Sequence, residues 1–127
     1  MNQKPNNVVA LNITLTDFFR YWFEFLAPFH HLTKRQTDVI VSFVKLRYEL
    51  SKVITDEKLL DDNVMSENSK RKVREECNIS LPHFQVIMGE LRKNKVIVDG
   101  KINPRYIPRI TNEEDFKLLL YFQFDGK

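Results

Sequence analysis

The chain has 127 residues, of which 43% are hydrophobic and 29% charged, and this length predicts a single domain over residues 1–127. Its one cysteine, Cys77, excludes an internal disulfide, and no stretch is apolar for long enough to span a membrane. The formal net charge is only +3, but residues 69–109 hold ten Lys and Arg against four Asp and Glu. Such a basic half is typical either of a surface that meets phosphates or of an ordinary solvated surface.

Residues 1–12 are polar and contain a proline, which predicts a flexible N-terminal arm. The arm lacks the basic stretch and the long apolar run of a signal peptide. We therefore expect a cytoplasmic protein.

Residues 13–31 carry an aromatic helical pattern. We expect this helix to begin at Thr14 or Thr16 and to run to about Ala27, where Pro28 stops it.

The apolar side chains of this helix form a broad stripe. Seven of them fall within roughly 120° when each residue advances about 100°, and Tyr21 and Phe23 widen the stripe towards roughly 200°. The seven are Leu15, Phe18, Phe19, Trp22, Phe25, Leu26 and Phe29. One interpretation is a helix buried in the domain's own core. The other, which we favour, is an interface with a second copy or another protein. Its residues would be Tyr21, Trp22, Phe23 and Phe25.

Residues 34–54 predict the longest helix, and Arg47 interrupts its apolar stripe. We expect Arg47 to bury its aliphatic stem while its guanidinium finds a carboxylate. Residues 56–65 predict a short acidic helix or loop. This segment lacks the glycine and the final glutamate of a calcium loop, so a solvated charge run is favoured and no metal is expected.

Residues 69–102 predict two helices and a hairpin in close succession. Ser69 would cap a short basic helix, and Asn78 would end it in the left-handed conformation. Ser80 would cap the next helix, whose buried stripe is Phe84, Ile87, Met88 and Leu91, and which ends near Asn94. Val96–Val98, Asp99-Gly100 and Lys101–Ile102 then predict a hairpin with a two-residue turn.

Residues 78–97 also carry a family pattern. Asn78-Ile79-Ser80, Leu91 and Lys95-Val96-Ile97 stand where bacterial MarR-like and GntR-like regulators have Gly-Val-Ser, Leu and Gly-Leu-Ile. With the opening Leu32-Thr33-Lys34-Arg35-Gln36, the chain resembles the winged helix-turn-helix superfamily over about residues 33–110. The resemblance implies a mainly α (α+β) fold, with the aromatic N-terminal helix in front and a short β wing behind. Arg74 replaces the family's usual Ala, and Val86 replaces its common Arg.

The resemblance implies DNA binding by a small transcriptional or replication regulator. The helix that begins after Ser80 would enter the major groove with His83 and Gln85 near the bases. The other expected DNA contacts are Lys70, Arg71, Lys72, Ser80, Arg92, Lys93, Lys101 and Arg105.

The alternative is a winged helix that docks onto proteins as an assembly component. The compact chain rich in Asn, Lys and Ile is typical of phage proteins, which points to a virion or packaging component. The location would then be the host cytoplasm or the virion.

The C-terminal extension, residues 111–127, contains the apolar run FKLLLYFQF. This run predicts a strand, or alternatively a short helix capped by Asn112. An apolar strand edge must be covered, either by residues 8–11 or by another chain. Arg105 and Arg109 are spaced for the same side of an extended strand, where they could contact phosphates or an acidic partner.

Catalytic signatures do not occur in the sequence. The three glycines are scattered, which excludes a glycine-rich phosphate loop, and neither a Ser/His/Asp signature nor HExxH is present. We therefore expect no enzyme activity and no cofactor.

Overall fold

The computed structural model describes residues 8–125, and within them the protein is mainly helical with one two-stranded antiparallel hairpin. The helices are α1 (Leu15–Phe25), α2 (Ala27–His30), α3 (Lys34–Ser51), α4 (Glu57–Val64), α5 (Glu67–Glu76) and α6 (Leu81–Lys93). The strands are β1 (Ile97–Val98) and β2 (Lys101–Ile102), with Ile97 opposite Ile102, and a 3₁₀ turn at Pro104–Tyr106 follows them. The predicted α+β class is confirmed. Most of the predicted arm, residues 1–7, lies outside the described residues.

The aromatic helix α1 begins as predicted, because the Thr14 hydroxyl accepts a hydrogen bond from the Asp17 backbone N–H at 3.1 Å. Helix α1 ends at Phe25, before the predicted end near Ala27. Pro28 does not end this helix but lies in the first turn of α2, where its missing N–H costs little. Helix α2 places His30 against Phe23, with ring centroids 5.8 Å apart.

Phe23 is 0% exposed in the core, so its predicted place at an interface is wrong. Its ring stacks on the ring of Tyr106, a residue that follows the hairpin in the sequence, with the ring centroids 6.3 Å apart. The prediction failed because a helical wheel drawn for α1 alone carries no information about α2 and the 104–106 turn, which cover this side of the helix.

His30 is a buried polar residue whose two ring nitrogens both have partners. Nε2 lies 2.8 Å from the carbonyl oxygen of Phe23, and Nδ1 accepts the backbone N–H of Leu32 at 3.0 Å. An acceptor at Nδ1 requires the neutral ring, with its proton on Nε2. Burial lowers the pKa of His30 below its usual value of 6.5.

Because the pKa of His30 is lowered by folding, we expect the protein to lose stability as the pH falls below about 6.5. Below that pH the unfolded chain binds a proton at His30 that the folded chain does not bind. The contribution of neutral His30 to stability is therefore complete only above about pH 6.5. Urea unfolding at pH 7.5 and pH 5.5 measures the effect. His30→Gln should reduce the pH dependence, while the control His31→Asn should keep most of it, because burial lowers the pKa of His30 more than the charge of His31 does. An equal pH dependence in wild type and His30→Gln would contradict this origin.

Helix α3 is the central helix, in contact with α1, α4, α5 and α6. A full capping box starts it, since Thr33 accepts from the Gln36 backbone and the Gln36 side chain accepts from the Thr33 backbone. As predicted, Arg47 finds a carboxylate: its Nε lies 3.0 Å from Oδ1 of Asp61, and both side chains are only 13% exposed.

The acidic cluster of residues 56–62 has structural roles. The Asp56 side chain caps α4 by accepting the Leu59 backbone N–H at 2.9 Å, Asp61 pairs with Arg47, and Asp62 pairs with Lys58. No group of His, Cys, Asp and Glu within residues 8–125 is arranged to hold a metal ion.

Helix α5 begins three residues earlier than predicted. Ser66, not Ser69, is the N-cap, and it accepts the Ser69 backbone N–H at 3.2 Å. Ser69 lies inside the helix, buried, and its hydroxyl donates to the Asn63 carbonyl at 2.7 Å. Two serines three residues apart are equivalent as local signals, and only the packing of α4 against α5 distinguishes them.

The segment after β2 is not the predicted extended strand. The Asn103 side chain accepts the backbone N–H of Arg105, and Pro104–Tyr106 forms a 3₁₀ turn. The expectation that Arg105 and Arg109 share one side of a strand is therefore wrong.

Residues 111–125 contain neither the strand nor the helix that their apolar pattern predicts. The Asn112 side chain accepts the N–H groups of Glu114 and Asp115, yet only a turn follows. No pairing with residues 8–11 is present, because no strand partner lies alongside in the described chain. None of the described helices is both long and apolar enough to cross a membrane.

Candidate nucleic-acid interface

The junction between α5 and α6 is held by two arginines. Asn78 adopts φ 54°, so the chain turns sharply after α5, and buried Ile79 anchors the turn. Arg35 on α3 donates to the carbonyl of Cys77 at 3.0 Å, and Arg74 lies 3.4 Å from the carbonyl of Ile79. Cations suit these positions because the C-terminal carbonyls of a helix carry partial negative charge. Arg35 and Arg74 therefore orient the two helices.

Helix α6 places four apolar side chains in the core and leaves the opposite side uncovered. The buried residues are Phe84, Ile87, Met88 and Leu91, as predicted. Residues at i, i+4, i+7 and i+11 share a helix face, so the outward row is Pro82, Val86, Gly89 and Lys93. His83 lies on one side of this row, and Gln85 and Arg92 lie on the other.

The outward face of α6 carries no side chain at its middle, where Gly89 lies. A Cβ added at Gly89 would meet no atom within 4 Å, so the absence of a side chain there is not required by packing. At its N-terminal end Ser80 caps the helix by accepting the His83 backbone N–H at 3.4 Å, as predicted. This bond uses the Ser80 oxygen as acceptor and leaves its hydroxyl proton free to donate.

The hairpin leaves α6 through a second sharp turn. Lys95 adopts φ 62°, and the Asn103 side chain donates to the Lys95 carbonyl at 2.9 Å. The hairpin turn itself has positive φ at both Asp99 and Gly100, as a two-residue type I′ turn requires. The predicted hairpin is confirmed, and β1 lies directly against α6.

Some of the cations predicted to contact DNA have a partner side chain in the structure, and others have none among residues 8–125. Lys72, Arg92, Lys93, Lys101 and Arg105 are exposed, and none of them pairs with a carboxylate of residues 8–125. Lys70 lies 3.6 Å from Glu67, and Arg71 donates to Asn68 at 2.6 Å. These five cations lie on α5, at the last turn of α6, on β2 and in the 3₁₀ turn that follows the hairpin.

The predicted protein-interface residues do not form one surface. Tyr21 and Phe25 are about half exposed, while Trp22 is partly buried and donates its indole N–H to the Tyr106 carbonyl at 2.9 Å. Phe23 is in the core. Only Tyr21 and Phe25 are free for a partner.

Sequence reasoning missed Arg35, because its contacts with residues 77 and 78 join positions more than forty apart in the chain. Taken together, α6 and the hairpin present an exposed surface that carries Arg92, Lys93 and Lys101, none of them paired with a carboxylate of the described residues. Comparisons of the chain with protein-family models, curated proteins and solved structures find no match.

Proposed function

We propose that α3, α5, α6 and the β1–β2 hairpin form a winged helix that binds duplex DNA, with a binding and not a catalytic role. The observation that carries the proposal is the uncovered outward face of α6, which ends in the exposed cations Arg92 and Lys93 and is followed by a hairpin with exposed Lys101. Positive φ at Asn78 and Lys95, where the winged-helix pattern has glycines, also supports it.

The N-terminal half of α6 would enter the major groove. His83 and Gln85 can hydrogen-bond to base edges, and the Ser80 hydroxyl can donate to a phosphate at the helix N-terminus. Gly89 would let the helix backbone approach the duplex closely, because no side chain stands between them.

Phosphate contacts would come from the cations around this face. Arg92 and Lys93 lie at the end of α6, and Lys101 and Arg105 lie on and after the hairpin, which would act as the wing. Lys70, Arg71 and Lys72 on α5 would contact the flanking backbone, as the first helix of such a pair does.

Fluorescence anisotropy of a mixed-sequence duplex at several salt concentrations tests the proposal. We expect binding that weakens steeply with salt, since each neutralised phosphate contributes about 0.9 to the slope of log K against log salt. Changing Lys70, Arg71 and Lys72 together to Ala should reduce the slope by up to about 2.7.

A matched control is Lys45, Lys52 and Lys58 changed together to Ala, which removes the same charge from α3, from the residue that ends it and from α4. This control should leave the slope almost unchanged. Equal slopes for the two triple variants would mean that general charge attraction, and not the α5 surface, produces the binding.

A second candidate function is docking onto a protein, as an assembly component such as a phage virion or packaging protein. Leu81 and Val86 favour it, because they remain 52% and 64% exposed on α6, where apolar side chains suit a protein partner. Absence of duplex binding even at low salt would reject the DNA proposal and favour this one.

A further inference from the structure

The C-terminal tail, defined as residues 117–125, is an apolar segment that the described chain leaves largely exposed. Leu119, Tyr121, Phe122 and Phe124 are 74–94% exposed, although segments this apolar are normally covered. The backbone of the tail makes no hydrogen bond to the backbone of residues 8–125. The tail also contains neither Gly nor Pro, so nothing in its sequence opposes strand pairing.

The start of the tail is fixed on the domain. Tyr48 donates its hydroxyl to Glu113, and Lys52 lies 3.3 Å from the same carboxylate. The Phe116 ring then packs between Phe18 and Trp22, with centroid distances of 4.9 and 5.5 Å. The outer face of α1 therefore binds the aromatic side chain that directly precedes the tail.

The two N-terminal helices carry three further exposed aromatic side chains, Tyr21 and Phe25 on α1 and Phe29 on α2, which we call the aromatic patch. Phe25 lies seven residues after Phe18, two helical turns along the same side. All three patch residues are exposed, with Phe29 at 65%, although Phe116 packs on the same helix α1. Each chain thus carries a donor segment and an acceptor surface, both uncovered.

We propose that two copies of the chain form a dimer by reciprocal exchange, in which the tail of each copy packs on the aromatic patch of the other. A twofold axis covers both tails and both patches at once, whereas residues 8–125 of a single copy leave its own tail and patch exposed. The exchange is independent of whether α6 contacts DNA.

The available area is sufficient for a stable dimer. Tyr121, Phe122 and Phe124 alone expose on the order of 400 Å² per chain, given about 150–250 Å² for each aromatic side chain. Two tails, two patches and the neighbouring leucines together reach the roughly 1,200–2,000 Å² of specific interfaces. Backbone pairing of the tail with an extended segment of the partner would satisfy its free N–H and C=O groups.

Light scattering of the full chain at increasing concentration tests the proposal, with twice the chain mass as the expected result. Phe122→Ser with Phe124→Ser should weaken the dimer by at least about 100-fold, the loss expected for two buried aromatic side chains. Phe25→Ser with Phe29→Ser should do the same. The control Val53→Ser changes another exposed apolar residue, outside the patch and the tail, and should leave the dimer intact.

A mixing experiment distinguishes exchange from any other dimer. Tail-variant chains still have the patch, and patch-variant chains still have the tail, so a mixture of the two restores one of the two contacts. We expect mixed dimers from two proteins that are each monomeric alone, with unchanged far-UV circular dichroism. A wild-type chain that is monomeric at all concentrations, or a mixture that stays monomeric, would overturn the proposal.

Discussion

Phe23→Ala should lower the free energy of unfolding by about 3–5 kcal/mol, the usual loss for truncating a fully buried phenylalanine. Tyr21→Ala, two residues earlier on α1, should cost less than about 1 kcal/mol, because Tyr21 is 46% exposed whereas Phe23 is 0% exposed. The difference arises because Phe23 packs against both His30 and Tyr106, and alanine would leave a cavity between them. Urea unfolding of the two variants, at a concentration low enough for the chain to be monomeric, measures the difference.

If Phe23→Ala fails to fold, Phe23→Leu gives a smaller and measurable loss at the same position. The control is Phe25→Ala, which truncates a half-exposed phenylalanine of the same helix and should behave as Tyr21→Ala does. Equal losses at positions 21 and 23 would contradict the observed burial of Phe23.

Sequence reasoning succeeded where the signal is local. The Ser80 cap, the left-handed residue Asn78 and the Asp99-Gly100 turn each follow from the chemistry of a few neighbouring residues, and all three are confirmed. The buried stripe of α6 also followed, because helical periodicity alone separates its two faces.

The errors have a different origin. Ser66 and Ser69 offer equal capping groups, and the orientation of Phe23 depends on α2 and the 104–106 turn. The apolar pattern of residues 116–124 predicts a strand, but a strand forms only beside a partner, and the described chain offers none. These outcomes depend on tertiary contacts that no local pattern contains.

The candidate DNA surface was predicted mainly from charge and from the winged-helix resemblance. Charge alone could not distinguish Lys72 and Lys93, which are free, from Lys70, which lies near Glu67. It also could not identify Arg35 and Arg74 as residues that hold the helix junction. Which cations are available for phosphate depends on neighbours brought close by folding.

The largely buried Arg47–Asp61 ion pair should contribute strongly to stability. Arg47→Met should lower the free energy of unfolding by about 3–5 kcal/mol, because it leaves the Asp61 carboxylate largely buried without its partner. The double variant Arg47→Met with Asp61→Leu should recover most of this loss, since it removes both charges and fills similar volume. A double-mutant cycle from urea unfolding gives the coupling energy.

The exposed pair Lys58–Asp62 on the same helix α4 is the matched control, with side chains 86% and 64% exposed. Lys58→Met should change stability by less than about 0.5 kcal/mol, because solvent screens exposed pairs. Additive effects of the substitutions at Arg47 and Asp61 would contradict a specific pair.

The Arg47–Asp61 pair also affects the proposed wing, since it fixes α4 to α3 and α4 packs on β2. Arg47→Met should therefore weaken duplex binding under conditions where the chain stays folded, and the double variant should restore it.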